Sequence, residues 1–347
     1  MNESEHNLAA SFFRGSDLEA REASILQELE AGLHFSPTEL LGRSNWWGSD
    51  MIGAFRYLGE FEGKQAVLKV QGVKPDVSEA AMLRSFASSN RSALVRPPKL
   101  YASIPWSDEK RYEALLVEYI NGSKLISSPT TAEEVERFFE IYEEYRQNCL
   151  ESPWLPKPTE SLAERTAQDF KDWKQVAKEQ YPEHPHREAG DEELIQESLA
   201  TLVRAYANED WVFQHAHISA DDVFIQEDQA ILTSNLMWAW RAPFFDAVFA
   251  YHWQPYVLGN HYEAVTPELI EAQKQLWLSA IWRLPQNDRQ RRQLNLALLE
   301  RQTAGLLLDS LTVDVTKPIA KHLVQSTREE VRNLLSVIGE DTPKAGV

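Results

Sequence analysis

The chain has 347 residues, with 53 Asp and Glu against 35 Lys and Arg, 43% hydrophobic residues, 10% aromatic residues and one cysteine. That much apolar and aromatic side chain can bury a large core, which excludes wholesale disorder, whereas a formal net charge of −18 excludes a general nucleic-acid binder and a polybasic hold on anionic lipid, both of which draw affinity from cations. Cys149 alone can form neither an internal disulfide nor a thiolate zinc site, and no apolar run approaches the roughly 20 residues that cross a bilayer.

The expected setting is the reducing cytoplasm, because Met1–His6 also lacks the basic and apolar regions of a secretory signal. Ser16-Asp17-Leu18-Glu19 reads as a capping box. It opens a helix with Leu18, Ile25, Leu26, Leu29 and Leu33 on one face, a helical extension over residues 1–36 that packs on the adjoining domain. Residues 37–121 change character. Met51–Glu60, Gln65–Gln71 and Glu113–Ile120 read as strands, Glu60–Lys64 as a hairpin connection, and Ser78–Ser88 as a helix. Pro97-Pro98 enforces extended backbone.

From Gly122 to about residue 340 the pattern is mainly helical, with a disordered tail at 341–347. Thr131–Glu134 is a second capping box, and further helices are predicted near 160–180, 191–208, 267–283, 287–308 and 315–338, Thr266 capping one of them with Pro267 in its first turn. Tyr181–His186 reads as a polar loop with His184 and His186 solvated, and His252 as a partly buried helix residue. Trp211–Phe213, Val223–Gln226 and Ala230–Thr233 form a β-like island among the helices. A strand-rich front followed by a helical back with such an island predicts an α+β, two-lobed, protein-kinase-like fold.

The residues such a fold needs occur in order along the chain. Ala66-Val67-Leu68-Lys69-Val70 supplies a strand lysine, and Glu79, ten residues on, a helix glutamate. Glu118-Tyr119-Ile120 ends the strand whose backbone would pair with adenine. His215-Ala216-His217-Ile218-Ser219-Ala220-Asp221-Asp222-Val223-Phe224-Ile225 resembles the catalytic loop of the aminoglycoside phosphotransferase/choline kinase-like family, His-Gly-Asp-Leu-x-x-x-Asn followed by three apolar residues. Ala230–Asn235 falls where that family has a strand ending in a metal-binding Asp, and Pro243-Phe244-Phe245-Asp246 resembles its Pro-x-x-Asp segment. The resemblance covers roughly residues 40–260.

It implies a nucleotide site of Lys69, Glu79, Glu118, Tyr119 and Ile120, but His217 stands at the catalytic Asp position, Asp222 at a metal-binding Asn position, and Ser234 at the metal-binding Asp position. Gly48–Gly53 has only two spaced glycines where phosphates are usually closed over, and Ala54 stands where a P-loop would carry Lys. A serine hydroxyl is no substitute for an anionic ligand of Mg²⁺. The expected function is therefore a pseudokinase-like binding or regulatory protein, taking ATP with magnesium or no cofactor, with a nucleotide, small molecule or protein as partner. The alternative is an ATP-dependent phosphotransferase of a small hydroxylated or cationic molecule, with His217 as base and the acid-rich helix near Glu133–Glu144 attracting a cation. A third reading makes His215 and His217, with Asp221 and Asp222 close behind, ligands of zinc or another transition metal. Trp46-Trp47 and Trp238-Ala239-Trp240 are expected to fill the cleft with their own side chains.

Overall fold

The computed structural model describes residues 18–45, 52–150, 152–219 and 222–340. Ser16 and Asp17 of the first capping box, Trp46-Trp47, Gly48–Met51, Asp221 and the tail at 341–347 lie outside them. The chain divides into two compact units, Met1–Ser123 with Phe224–Leu236, and Lys124–Val223 with Met237–Val347.

The first unit is built on an antiparallel sheet in the order β1-β2-β3-β6-β5: β1 (Phe35–Asn45), β2 (Ile52–Phe61), β3 (Lys64–Gln71), β6 (Glu113–Glu118) and β5 (Leu100–Ile104). Between β2 and β3, Glu62 and Gly63 have φ of 50° and 75°, the left-handed pair that lets a two-residue hairpin follow the strand twist. The strand period of two divides β3 between two faces. Ala66, Leu68 and Val70 are buried with Ile25 and Leu29 of helix α1 (Leu18–Leu33), and with Phe55, Ala114 and Leu116. The opposite face carries Lys69, in register with Leu115, and Leu115 packs on Ala80 and Leu83 of helix α2 (Glu79–Ser89). Alternation thus commits Lys69 to the α2 side of the sheet. A short strand β4 (Val95–Arg96) pairs in parallel with β10 (Gln229–Leu232), which forms a hairpin with β9 (Val223–Gln226). The strand β1 is absent from the sequence-based assignment. It is an edge strand with Pro37 and Gly42 and three register irregularities against β2, so it carries no regular alternation.

The second unit holds seven α-helices among its described residues: α3 (Ala132–Asn148), α4 (Leu162–Gln180), α5 (Asp191–Tyr206), α6 (Phe245–His261), α7 (Pro267–Ile281), α8 (Asp288–Leu307) and α9 (Pro318–Glu340). A two-stranded sheet pairs β8 (Val212–His215) with β11 (Trp238–Arg241), and β7 is the dipeptide Ser123–Lys124. The capping box at Thr131 forms as predicted, with Thr131 Oγ1 accepting from Glu134 N–H and the Glu134 carboxylate accepting from Thr131 N–H at 2.7 Å. Glu134 is therefore occupied in capping. Thr266 caps α7 with Pro267 in its first turn, again as predicted.

Two histidines depart from the sequence reading. His184 is buried, not solvated, with Nε2 unpartnered and its ring against Tyr181 and His186; burial, then the charges of His186 and Arg187, lower its pKa to about 4. His252 is wholly buried, not partly so. Its Nε2 lies 2.8 Å from Asp309 Oδ2, and burial, followed by the nearby Arg301 charge, outweighs that carboxylate and lowers its pKa to about 4. An unfolded imidazole gains its proton near pH 6.5, whereas the folded His252 resists until about 4, so stability is complete above 6.5 and drains away as pH falls toward 4. His252→Gln, which keeps a hydrogen-bonding group but does not titrate, is expected to remove about 2 kcal/mol of the stability lost between pH 7 and pH 5 in denaturant titrations. An unchanged pH dependence would show that His252 titrates normally.

Candidate functional site

The predicted residues form two groups, each inside one unit. In the first unit, Lys69 Nζ lies 2.5 Å from Glu79 Oε2. Glu79 is buried, and its Oε1 accepts from Asn235 N–H at 3.4 Å, while Asn235 Nδ2 donates to Leu232 O at 2.7 Å. The segment leaving β10, with Ser234 in it, is thereby tied to the same carboxylate as Lys69. What sets Glu79 in place is Glu113, a wholly buried residue at the start of β6. Its Oε1 accepts from Ser78 Oγ and, at 3.5 Å, from Ala80 N–H in the first turn of α2. A carboxylate there suits the positive end of the helix dipole.

At the other end of β6, Glu118 is held by its side chain. Its carboxylate accepts from Arg96 Nη1 and from Lys99 N–H at 2.8 Å, and its own N–H donates to Lys99 O at 2.9 Å. Tyr119 N–H reaches Gln65 O at 3.5 Å, and Ile120 N–H makes no hydrogen bond to a described residue. At Gly122 a Cβ would lie 2.3 Å from Ile225 O, so only glycine lets this segment pass β9.

In the second unit, β8 ends at His215, which is fully buried against Trp238 with ring centroids 4.8 Å apart. His215 Nδ1 accepts from the backbone N–H of His217 at 3.3 Å and so turns the loop. The His217 ring lies on Phe249 at 4.3 Å between centroids, its side chain 43% exposed. Its Nδ1 is buried without a hydrogen-bond partner and faces Asp222 Oδ2 at 3.9 Å, an ion-pair distance and not a hydrogen bond. Asp222 Oδ2 accepts from Ser219 N–H at 3.0 Å and Ser219 Oγ at 2.6 Å. Burial opposes charge on Asp222, but His217, the Ser219 hydroxyl and His215 outweigh it and hold the carboxyl below its usual range.

Among the described residues no cluster of three or more His, Cys, Asp or Glu stands together in a way that could hold a metal ion. Trp238 packs into the core of its own unit, against Tyr145, Trp154 and Phe213, and Trp240 Nε1 donates to Leu155 O. Glu113, Asn235, Ser219 and Phe249 were not singled out from the sequence. Glu113 carried one signal, a carboxylate opening an otherwise apolar strand.

This assembly has a protein-kinase-like fold, with a small antiparallel sheet and one helix carrying the Lys–Glu pair and helices following. A thermostable mutant of aminoglycoside phosphotransferase APH(4)-Ia is similar over 91% of this chain and 99% of its own, with a TM-score of 0.58 and 12% identity. A choline/ethanolamine kinase family protein from Mesorhizobium loti is similar over 94% and 95%, with a TM-score of 0.53 and 12% identity, and choline kinase LicA from Streptococcus pneumoniae over 90% and 98%, with a TM-score of 0.54 and 12% identity. No protein-family model and no curated protein sequence matches the chain. The likeness is one of fold.

Proposed function

We propose that the chain is a kinase-fold nucleotide-binding protein that lacks ordinary magnesium-dependent phosphotransfer and serves as a pseudokinase-like binding or regulatory protein. One observation carries this reading: the Lys69–Glu79 pair is assembled, with Glu79 buried and tied to the segment that holds Ser234, the residue that the resemblance sets at the metal-binding Asp position. An ammonium has three N–H donors and Lys69 directs one to Glu79, which leaves it suited to the α- and β-phosphates, while Ile120 N–H suits the edge of adenine. A magnesium ion does not fit as well. Mg²⁺ favours charged oxygens in near-octahedral array, whereas Ser234 offers only a hydroxyl. Related structures hold ADP with hygromycin B, or ADP with spectinomycin.

A second reading, phosphotransfer to a small hydroxylated molecule with rearranged groups, is favoured by one observation, the half-exposed His217 beside Asp222. Thermal-shift titrations with ADP and ATP, each with EDTA, Mg²⁺ or Mn²⁺, separate the two. A nucleotide at 100 times its Kd adds about 2.7 kcal/mol of stability. The expected result is a rise in Tm of the same size with and without metal, and ATP consumption at background with hygromycin B, spectinomycin or choline. Metal-dependent turnover would establish the second reading, and no shift under any condition would overturn both.

A further inference from the structure

Because the fold admits only glycine at 122, the residue before it is left chemically open. A Cβ at 122 would lie 2.3 Å from Ile225 O, so the segment between β6 and β7 passes β9 only without a side chain there. The preceding residue is Asn121, and the two form the sole Asn-Gly pair in the sequence. Both are exposed and lie outside helix and strand. Neither the Asn121 side chain nor the Gly122 N–H hydrogen-bonds to a described residue. Other asparagines are held. Asn90 Nδ2 donates to Val95 O at 2.6 Å, Asn235 Nδ2 donates to Leu232 O at 2.7 Å, and Asn287 caps α8. The residues that follow those three are Arg91, Leu236 and Asp288, each with a side chain that shields its backbone nitrogen. Asparagine is a thermolabile residue, and at 121 its amide has no partner while the next backbone nitrogen has no side chain over it.

We propose that Asn121 is a self-modification site, at which the Gly122 nitrogen closes a cyclic imide and water opens it to aspartate and isoaspartate. In the first step Gly122 N attacks Asn121 Cγ and an N–Cγ bond forms. The Cγ–Nδ2 bond breaks, and ammonia leaves with the proton that Gly122 N gives up. In the second step water adds at either imide carbonyl. Cleavage of the N–Cγ bond leaves aspartate. Cleavage between the nitrogen and the main-chain carbonyl carbon leaves isoaspartate, whose chain runs through Cγ and is longer by a methylene. Both products carry a new negative charge, and nothing is oxidised or reduced. The isoaspartate methylene enters the main chain between Ile120 and a glycine already pressed against Ile225 O, so the backbone on one side of it has to move. Ile120 N–H, the donor suited to adenine, lies on one of those sides. That effect on binding rests on the nucleotide reading above, whereas the conversion itself does not.

The test is to hold the full chain in warm, mildly alkaline buffer, map its peptides by mass spectrometry at intervals, and count isoaspartate with protein isoaspartyl methyltransferase. The expected result is conversion at Asn121 ahead of every other asparagine. It is expected to vanish from that peptide in Asn121→Gln, whose longer amide does not close the same ring. Conversion no faster at Asn121 than at Asn90 or Asn235, in protein that circular dichroism shows to be folded, overturns the proposal. Thermal shift with ADP is read on the same samples. Fresh protein, fresh Asn121→Asp and Asn121→Gln aged in parallel are expected to keep the rise in Tm, and aged unmodified protein to lose it in proportion to its isoaspartate content. A rise that survives full conversion overturns the effect on binding. A response already absent from fresh protein overturns the nucleotide reading instead, and the peptide map still decides the conversion.

Discussion

Asp246→Ala is expected to cost the second unit about 3–5 kcal/mol, because the substitution removes one partner of a buried ionic cluster and leaves the other behind. Asp246 is wholly buried at the start of α6. Its carboxylate accepts from Tyr142 OH at 3.0 Å, from Tyr145 OH, and from Arg146 Nη1 at 3.5 Å, and the Arg146 side chain is itself only 27% exposed. Burial, then the Asp246 charge, raises both phenols well above their ordinary range; for Arg146, burial opposes the charge but Asp246 and the two tyrosines outweigh it. Asp246→Asn keeps the acceptor and the shape but not the charge, and is expected to cost about 2 kcal/mol, the worth of hydrogen bonds to a charged group. Scanning calorimetry is the check. At roughly 2–4 °C per kcal/mol for a unit of this size, Ala should lower Tm by about 10 °C and Asn by half that. The effect should reach the segment after β8 too, since Asp246 N–H donates to Gln214 Oε1 at 2.9 Å, and Gln214 precedes His215. A loss under about 1 kcal/mol for Ala would mean that water or a rearranged Arg146 replaces the carboxylate.

The sequence was most informative where one local rule decides the outcome. The capping box at Thr131, the Glu62-Gly63 hairpin and the helix after Ser78 each follow from a few neighbouring residues, whereas the Lys69–Glu79 pairing was legible only through the resemblance of the loop at His215–Ile225 far downstream. Order and spacing also pointed to the protein-kinase-like fold. What stayed hidden depends on partners distant in the chain. Residues 293–307 of α8 are all buried, yet they include Asn295, Glu300, Arg301 and Gln302, which no apolar stripe would reveal. Tyr206 OH donates to Glu300 at 2.8 Å and Arg301 Nη2 donates to Asp309 at 2.8 Å, while Arg301 also stacks on Trp173, Phe245 and Phe249. His184 and His252 were misjudged for the same reason: a polar residue type says little once burial is set by other helices. Glu113 shows the limit at the candidate site, since its relation to Ser78 spans 35 positions.

The Lys69–Glu79 pair allows stability and binding to be separated. Glu79 is 2% exposed, and without Lys69 its carboxylate retains only the Asn235 N–H, at 3.4 Å. Lys69→Met is therefore expected to cost about 2–3 kcal/mol, less than a fully buried pair because the lysine side chain is 18% exposed. Glu79→Leu alone should cost about 1 kcal/mol, since the lysine can turn to water. The double variant removes both charges and should return to within about 1 kcal/mol of the original stability, giving a coupling energy within the usual range of about 0.5–3 kcal/mol for contacting residues. Nucleotide response should not follow the same course. If Lys69 holds phosphate, the nucleotide-induced rise in Tm disappears in Lys69→Met and stays absent in the double variant, although its fold is restored. Recovery of stability without recovery of binding would identify the pair as the floor of a phosphate site. A double variant that still responds to ADP as the unmodified chain does would make the pair purely structural, and one no more stable than Lys69→Met would show that Glu79 owes its place to Asn235 and the first turn of α2 instead of to the lysine.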